Sequence, residues 1–351
     1  MPIFAMDYLR QLNVRLFQKM KVPPDVAGEI SDSILENCLY GHDTHGMALV
    51  PRFLRDIETS KIRPDARTET VKKSGIMALM DGHRGFGPLT LRDAMREAMG
   101  MANSAGIAAV AVTNCNHVGI LWNCARMPAE SGMIGMIWCV SGPEGGGGCV
   151  APFGGRKSAI GANPMAVSIP AREMKPLVLD ISTSAVAGGK VVLHAQQGKK
   201  IPLGWLLDAE GNPTTDPNDL FKDGKLAGTL LPAAGYKGFG LGLVAEILGG
   251  LLTGYGASHR SDFKEGQGIF IVVIDVKSFV PLETFCGETD ALFRHVKATP
   301  TDTNTKEILI PGEIEFRTRE QREREGVPVT DAVWQNIQAT ARRLGVDVGH
   351  P

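Results

Sequence analysis

The spacing of the apolar residues changes twice along this chain of 351 residues. Near the start, Leu9, Leu12, Leu16 and Met20 recur every three to four residues, as on one face of an α-helix. After residue 73 the pattern breaks into short apolar runs separated by helical segments, and beyond residue 318 it is helical again. Because short strands alternating with helices are typical of α/β proteins, the sequence predicts an α/β fold with helical ends.

The chain exceeds the usual size of a single domain, so we divide it into two structural units. Residues 76–284 are predicted to form the α/β region. Residues 1–75 are predicted to pack with residues 285–351 as one helical domain, because neither segment alone can bury a core.

The same patterns predict the individual elements. Helices are expected over residues 25–40, 50–57, 88–104, 120–131, 182–196, 237–253, 318–325 and 331–344. Strands are expected over residues 77–80, 107–113, 133–140, 166–169, 177–181 and 268–275. Residues 201–231 are predicted to be largely loop.

Composition and charge exclude several classes of protein. The formal net charge of −1 provides no general attraction to nucleic acid or to an anionic membrane. The N-terminus lacks the pattern of a secretory signal, and the longest apolar segment, residues 239–253, contains Glu246 and is too short to span a bilayer. The six cysteines show no zinc-ligand spacing and are expected to be free thiols. We therefore predict a cytoplasmic protein without nucleic-acid or membrane partners.

The stretch most informative about chemistry is Gly-His-Asp-Thr-His-Gly at residues 41–46, in a turn between two predicted helices. Histidine has an ordinary pKa close to neutrality, so His45 is a candidate for proton transfer, and the Thr44 hydroxyl can orient its ring. A loop histidine that caps a helix is the alternative. A metal site from His42, Asp43 and His45 is disfavoured, because adjacent turn positions rarely converge on one ion, and no metal is predicted.

A second histidine, His117, follows a predicted strand in the turn Asn-His-Val-Gly at residues 116–119. This turn precedes a predicted helix, where backbone N–H groups collect and anions bind. No Gly-x-Gly-x-x-Gly sequence follows a strand with an acidic residue about twenty positions later, and the glycines at 82–87 have the wrong spacing. A dinucleotide, if bound, is therefore not held by a Rossmann fingerprint.

These two turns belong to a longer series of motifs that runs in one order along nearly the whole chain. They are Asp-Thr-His-Gly at 43–46, Asn-His-Val-Gly at 116–119, Ala-Pro-Phe-Gly-Gly at 151–155, Gly-Ala-Asn-Pro at 161–164, Asp-Ile-Ser-Thr-Ser at 180–184, Pro-Thr-Thr-Asp-Pro at 213–217, Gly-Tyr-Lys-Gly-Phe-Gly at 235–240 and Ile-Pro-Gly-Glu at 310–313. In these motifs the chain resembles the type 2 malate/L-lactate dehydrogenase family of NAD(P)-dependent oxidoreductases. That family also contains sulfolactate, ureidoglycolate, diketogulonate and cyclic imino acid branches. The resemblance implies a non-Rossmann, mixed-sheet α/β fold and a homodimer whose site lies near the subunit contact.

The resemblance also implies a reaction and a cofactor site. The reaction is hydride transfer between NAD or NADP and C2 of a 2-oxo or 2-hydroxy carboxylic acid, with His45 carrying the proton. Thr44 stands where most relatives have serine. The implied cofactor contacts are His117, Val118, Gly119, Ile120, Leu121, Asp180, Ile181, Ser182, Lys237, Pro311, Gly312 and Glu313. For His117 the alternatives are a catalytic role and a plain structural histidine, and for Lys237 a surface lysine. For Asp180 the alternative is a cap of the next helix, and for Glu313 a loop carboxylate without a partner.

Lys190 is the third predicted catalytic residue. It lies ten positions after Asp180 and directly follows Gly188 and Gly189, which are predicted to contact the substrate. The cyclic imino acid branch usually has aspartate at the matching place, so lysine favours a hydroxy-acid dehydrogenase. Its ammonium can pair with the substrate carboxylate or stabilise the alkoxide, and a solvated helix lysine is the alternative.

Two positions depart from the family pattern. Relatives usually carry arginine four places after the catalytic histidine, where it binds the substrate carboxylate, but here that residue is Leu49. Ala162 replaces the threonine of their Gly-Thr-Asn-Pro motif. Arg52 aligns with an arginine of some relatives and is the predicted replacement. If Arg52 does not bind the carboxylate, the substrate is larger, more apolar or held differently. The alternatives to a hydroxy-acid dehydrogenase are a cyclic imine reductase and a nicotinamide-binding protein without dehydrogenase activity.

Overall fold

The computed structural model describes residues 1–142, 146–263 and 266–349. Its helices are α1 (Met6–Lys19), α2 (Pro24–Leu39), α3 (Val50–Glu58), α4 (Gly87–Ala105), α5 (Trp122–Glu130), α6 (Gly188–Gln196), α7 (Tyr236–Ala245), α8 (Leu282–Lys297), α9 (Glu313–Glu325) and α10 (Asp331–Leu344). Its strands are β1 (Ile3–Phe4), β2 (Glu69–Ser74), β3 (Met77–Asp81), β4 (Ile107–Cys115), β5 (Met133–Cys139), β6 (Met165–Ile169), β7 (Leu177–Ile181), β8 (Leu206–Leu207), β9 (Pro213–Thr214), β10 (Phe221–Lys222), β11 (Lys225–Leu226), β12 (Thr229–Leu230), β13 (Gln267–Asp275) and β14 (Val327–Pro328).

Within the described residues, the central sheet contains seven strands in the order β2-β3-β4-β13-β5-β6-β7. β3 and β4 pair in parallel, whereas the other neighbours are antiparallel. β13 lies between β4 and β5, and its alternate residues Ile269, Ile271 and Val273 are fully buried. The protein is thus a mixed α/β structure with a mixed sheet, which confirms that part of the predicted fold class.

Local signals set the ends of several helices. α4 ends just before Gly106, whose φ of +84° is the left-handed conformation that glycine adopts without strain. The Thr330 side chain caps α10 by accepting a hydrogen bond from Val333 N. α10 stops before Gly345, which has a φ of +67°. It therefore has the bounds that the sequence predicts.

The helix predicted over residues 182–196 begins later than expected. The Ser182 hydroxyl accepts a hydrogen bond from Ser184 N (3.2 Å), and the Ser184 hydroxyl donates to the carbonyl of Val186 (2.8 Å). Such local side-chain bonds compete with helix formation, so α6 begins only at Gly188.

The helix predicted over residues 237–253 is α-helical only in its first part. It is α-helical to Ala245, and a π-helical segment, Glu246–Leu251, then continues it. The carboxylate of Glu246 is buried and accepts hydrogen bonds from Asn163 Nδ2 and Ser258 N, which ties this segment to two loops. No helix in the described part of the chain is both long enough and apolar enough to cross a membrane.

Two large apolar cores hold the described part of the molecule together, besides a smaller one around Val150, Leu206 and Leu230. One lies between the central sheet, α4 and α5, and the other joins α1, α2 and α3 to α10. Ile337 of α10 is fully buried in the second core, so both ends of the chain contribute to it. The predicted domain boundaries stay a prediction. Two segments assigned to the helical domain contact the other unit: β2 belongs to the central sheet, and Phe316 of α9 packs in the first core.

Candidate active site

The predicted proton-transfer residue lies in a tight turn after α2. Asp43–His45 form a single 3₁₀ turn, in which His45 N donates to the carbonyl of His42 (2.9 Å). The Thr44 hydroxyl lies 3.0 Å from His45 Nδ1, within hydrogen-bonding distance. Arg322 of α9 pairs with both carboxylate oxygens of Asp43 and holds the turn from outside. Thr44 is therefore placed to orient the His45 ring.

The fold brings the two histidine turns together. The rings of His45 and His117 stack with their centroids 5.6 Å apart and an interplanar angle of 7°. His117 Nδ1 accepts a hydrogen bond from Gly119 N (3.1 Å), so in the neutral ring the proton is assigned to Nε2. The two residues that the motifs single out thus share one site.

Burial keeps the imidazoles of this site neutral. Desolvation, followed by the charge of Arg52, lowers the pKa of His45 to about 4. Desolvation also lowers the pKa of His42 to about 4 and that of His117 well below its ordinary value. In the free protein at neutral pH, His45 is therefore an unprotonated base rather than an imidazolium.

The N–H groups that follow His117 bond within the protein. Val118 N donates to Gln267 Oε1 (2.8 Å). Leu121 N and Trp122 N donate to Asp180 Oδ2 at 3.0 and 2.9 Å, so Asp180 caps the start of α5. Burial raises the pKa of the Asp180 carboxyl to about 6. The anion at this helix start is thus the protein's own carboxylate; the helix it caps is α5 rather than the next helix along the chain, and its contact with a cofactor stays a prediction.

Helix α6 begins beside the first histidine turn. A Cβ added at Gly189 would lie 3.9 Å from the Thr44 side chain. Lys190 is exposed in the first turn of α6, and its charge contributes to the low pKa of His42. The lysine and the helix dipole make this edge of the site positive. Gly188, Gly189 and Lys190 therefore lie close to the turn that holds Thr44.

Arg52 approaches the histidine pair from α3. Its side chain, 33% exposed, has Nε 3.5 Å from Asp56 Oδ2. It lines a cavity of about 90 Å³ together with His117, Ser141 and Gln267. The charge of Arg52 lowers the pKa of His117 as well as that of His45, so this cation can meet an anionic ligand group at the pair.

The two departures from the family pattern lie in different surroundings. Leu49 is only 6% exposed, and its Cδ1 would lie 3.9 Å from a Cβ added at Gly119. The carbonyl of Ala162 accepts hydrogen bonds from the Ser182 and Thr183 hydroxyls, both at 3.0 Å. Leu49 thus packs against the second histidine turn, and neither residue has a polar side chain to offer a ligand.

A further cavity, of about 290 Å³, is lined by four of the predicted cofactor residues, Asp180, Ile181, Pro311 and Gly312, and by Trp122. The indole Nε1 of Trp122 is buried without a hydrogen-bond partner among the described residues. Gly312 has a φ of +105°, and a Cβ there would lie 3.0 Å from the indole. A cavity walled by an aromatic ring, a glycine and a carboxylate fits a flat heteroaromatic cofactor such as NAD(P).

Two other predicted cofactor residues line neither of these two cavities. Glu313 Oε2 accepts hydrogen bonds from Lys297 Nζ (2.6 Å) and Ile310 N (3.0 Å), so it is not a carboxylate without a partner. Lys237 is exposed in the first turn of α7. This helix packs near the segment after β7, where Ala233 N donates to the carbonyl of Thr183 (2.9 Å).

Three residues of this region carry no motif and are missed by sequence reasoning. Trp122 lies 6.1 Å from the ring of His42, and Gln267 binds the second turn. Asn37 contacts the first turn. A polar residue three positions after Ile34, on the apolar face of α2, is the signal that could have identified Asn37.

A larger cavity, of about 500 Å³, lies among α1, α2, α4 and α5. Most of its arginines are paired, as Arg10 is with Asp32 and Arg92 with Glu29. None of the predicted site residues lines it.

Across residues 1–142, 146–263 and 266–349, no three His, Cys, Asp or Glu side chains converge as metal ligands would.

Comparison with known proteins identifies the family. The sequence profile of the malate/L-lactate dehydrogenase family matches residues 4–338. Hydroxycarboxylate dehydrogenase B of Escherichia coli K12 is 33% identical over 338 residues, which cover 94% of this chain and 91% of that protein. The structure of malate dehydrogenase from Pyrococcus horikoshii has a TM-score of 0.86 at 31% identity, and the match covers 99% of this chain and 96% of that one.

A delta1-piperideine-2-carboxylate reductase from Pseudomonas syringae has a similar structure, with a TM-score of 0.84 at 26% identity, covering 97% of this chain and all of that one (100%). The family profile nevertheless spans nearly the whole chain, as do the dehydrogenase relatives above 30% identity. The chain therefore belongs to the malate/L-lactate dehydrogenase family, and it is an NAD(P)-dependent oxidoreductase.

Proposed function

We propose that this enzyme transfers a hydride between NAD(P)H and C2 of a 2-oxo or 2-hydroxy carboxylic acid, with His45 carrying the proton. The observation that best supports the proposal is the stacked pair of His45 and His117 beside Thr44 and the start of α6. When bound, the nicotinamide supplies or accepts the hydride. The protein must then move the substrate proton and bind the carboxylate.

The tautomer of His45 determines how it handles the proton. When its Nδ1–H donates to the Thr44 hydroxyl, the Nε2 lone pair can accept the proton of a substrate hydroxyl. The low pKa of His45, about 4, favours this unprotonated form before substrate binds. In the direction of reduction, a bound carboxylate raises this pKa, because a nearby negative charge stabilises the imidazolium. The imidazolium then donates to the developing alkoxide.

We assign the substrate carboxylate to Arg52 and the substrate oxygen to Lys190. The Arg52 guanidinium lies in the cavity beside His117 and can bind a carboxylate through two parallel hydrogen bonds. Lys190 lies on the positive edge at the start of α6, where Gly188 and Gly189 let a ligand approach the backbone. Arg52 and Lys190 thus supply the positive charge that relatives obtain from an arginine at the position of Leu49.

We assign the cofactor to the cavity lined by Trp122, Asp180, Ile181, Pro311 and Gly312. The turn from His117 to Leu121 leads from this cavity to the histidine pair, because Asp180 caps α5 directly after that turn. Ser182 continues the same wall, and Lys237 and Glu313 would contact the cofactor only at its periphery. Both NAD and NADP are compatible with these contacts.

A hydroxy acid is the favoured substrate class, because the relatives include a malate dehydrogenase and a hydroxycarboxylate dehydrogenase. The second candidate is a cyclic imine, which the similarity to the Pseudomonas reductase supports. Lys190, in place of the aspartate usual in that branch, favours the hydroxy acid.

We also propose that the enzyme is a homodimer. Leu241, Val244, Ile247 and Leu251 are 41 to 52% exposed and recur every three to four residues along α7 and its π-helical continuation. An exposed apolar stripe of this length is typical of an interaction surface, and most soluble oligomers are symmetric homo-oligomers. The stripe follows Lys237 on the same helix, so a subunit contact here would lie near the cofactor.

A panel of 2-oxo acids and cyclic imines, each incubated with NADH and with NADPH, tests the proposed reaction. We expect at least one 2-oxo acid to cause enzyme-dependent loss of reduced-nicotinamide absorbance. Turnover of cyclic imines alone would support the second candidate. Quenching of cofactor fluorescence without turnover of any compound would contradict the proposal and indicate a binding protein without this activity.

A further inference from the structure

Asn37 is a buried residue (2% exposed) that contacts the first histidine turn at both ends. Its carbonyl accepts a hydrogen bond from His42 N (2.9 Å). Its side-chain Nδ2 donates to the carbonyl of His45 (2.6 Å). One residue of α2 therefore fixes where the turn leaves the helix and where the His45 backbone lies.

The same side chain also contacts the second histidine turn. A Cβ added at Gly119 would lie 3.2 Å from Asn37 Nδ2, so the backbone of the His117 turn passes directly over the amide. On its other side, Asn37 Oδ1 accepts a hydrogen bond from Asn123 Nδ2 (2.6 Å) in α5. The bond to His45 fixes which end of the Asn37 amide is the donor, because a backbone carbonyl can only accept; the Asn37 oxygen is therefore turned to Asn123.

We propose that Asn37, oriented by Asn123, is a positioning residue that holds the His45 turn against the His117 turn. It touches no reacting atom and acts through the place it gives to the His45 ring. The catalytic part of this inference rests on the proposed function, because it takes His45 as the proton-transfer residue. A displacement of about 1 Å in a catalytic group can lower the rate by a factor of about 100.

Asn37→Asp is the sharpest test, because it keeps the shape of the side chain and the bond from Asn123 but replaces the donor to His45 with an oxygen. The matched control is Asn13→Ala, since Asn13 is equally buried but binds Met47 Sδ (3.4 Å) rather than the histidine turn. Asn37→Ala and Asn123→Ala complete the series. If Asn37 substitutions prevent folding, Asn123→Ala decides the question alone.

The first measurement uses the protein without cofactor or substrate. NMR of the labelled imidazoles should show ring-current shifts from the stacked pair in the parent protein and in Asn13→Ala. We expect these shifts to be lost in Asn37→Asp and reduced in Asn123→Ala. Unchanged stacking shifts in Asn37→Asp, or in Asn123→Ala if that variant decides the test, would overturn the inference whatever the enzyme catalyses.

The second measurement is steady-state kinetics with a deuterated nicotinamide. We expect Asn37→Asp to lower kcat by about 10- to 100-fold and to raise the deuterium isotope effect, with a smaller change in the cofactor KM. Asn123→Ala should have a weaker effect of the same kind, and Asn37→Ala combined with Asn123→Ala should match Asn37→Ala alone. A kcat and isotope effect equal to those of Asn13→Ala would contradict the inference, whereas an inactive parent enzyme would contradict the proposed function.

Discussion

Three partly buried imidazoles determine how the site responds to acid. Desolvation lowers the pKa values of His42 and His45 to about 4, and that of His117 falls well below its ordinary value. In the unfolded chain each ring has a pKa near 6.5. Between these values the unfolded chain binds more protons than the folded protein, so acid favours unfolding.

We therefore expect the histidine contribution to the free energy of unfolding to be complete above pH 6.5 and to be lost as the pH falls toward 4. His45→Gln removes one titrating ring, so this variant should lose less stability over the same range. Denaturant titrations at several pH values measure the difference, with His259→Gln as a control because His259 is exposed. Equal losses in the parent protein and His45→Gln would show that His45 is not buried as a neutral ring.

Arg52 supports a second prediction at the scale of single residues. Arg52→Met keeps most of the side-chain volume but removes the cation beside the histidine pair, so the KM for the 2-oxo acid should rise by about 10- to 100-fold. The pKa of His45 should move up toward its ordinary value, because the Arg52 charge lowers it. Steady-state kinetics and NMR titration measure the two effects.

Arg55→Met is the matched control, because Arg55 lies on the same helix but is exposed and outside the cavity. It should leave both the KM and the pKa unchanged. A KM for Arg52→Met equal to that of Arg55→Met would show that the carboxylate is bound elsewhere.

At the scale of elements, the exposed stripe of α7 predicts the oligomeric state. The double substitution Leu241→Glu and Ile247→Glu should dissociate the dimer. Each new carboxylate would be buried opposite the same carboxylate of the other subunit across a symmetric contact. Light scattering after gel filtration should give twice 37.6 kDa for the parent protein and 37.6 kDa for the variant. Leu292→Glu on α8, where the leucine is 58% exposed, is the control and should stay dimeric. A monomeric parent protein would contradict the proposed homodimer.

The sequence predicts those elements whose apolar pattern and end signals agree. α10 has its predicted bounds because Thr330 and Gly345 punctuate an apolar stripe. β2 is not predicted, since every residue of it is exposed and no apolar alternation marks it. α8 is also missed, because only Cys286, Phe293 and the polar Asp290 of its sixteen residues are buried.

The sequence predicts only part of the candidate site, because motifs show residue types but not the contacts that form in the folded chain. Motifs identify His45 and His117, because each combines a titratable ring with turn-forming glycines. They do not distinguish a carboxylate that binds a cofactor from one that caps a helix, as Asp180 does. Nor do they reveal Asn37, whose role depends on two turns that meet only in the folded chain.

At the scale of the whole molecule, the order of the sheet depends on contacts between distant segments. β13 inserts between β4 and β5 although more than a hundred residues separate it from either, and no local pattern encodes that pairing. The site forms where the two cores meet. His45 follows α2 of the helical core, whereas His117 follows β4 of the sheet core. Their stacking therefore requires both cores to be folded.

The most direct test of the central claim is the rate of hydride transfer in a single turnover of His45→Gln. Glutamine is polar and similar in length but cannot exchange a proton at neutral pH. We expect the variant to bind reduced nicotinamide as the parent enzyme does and to transfer hydride at least about 100-fold more slowly. A rate within twofold of the parent enzyme would show that another group carries the proton.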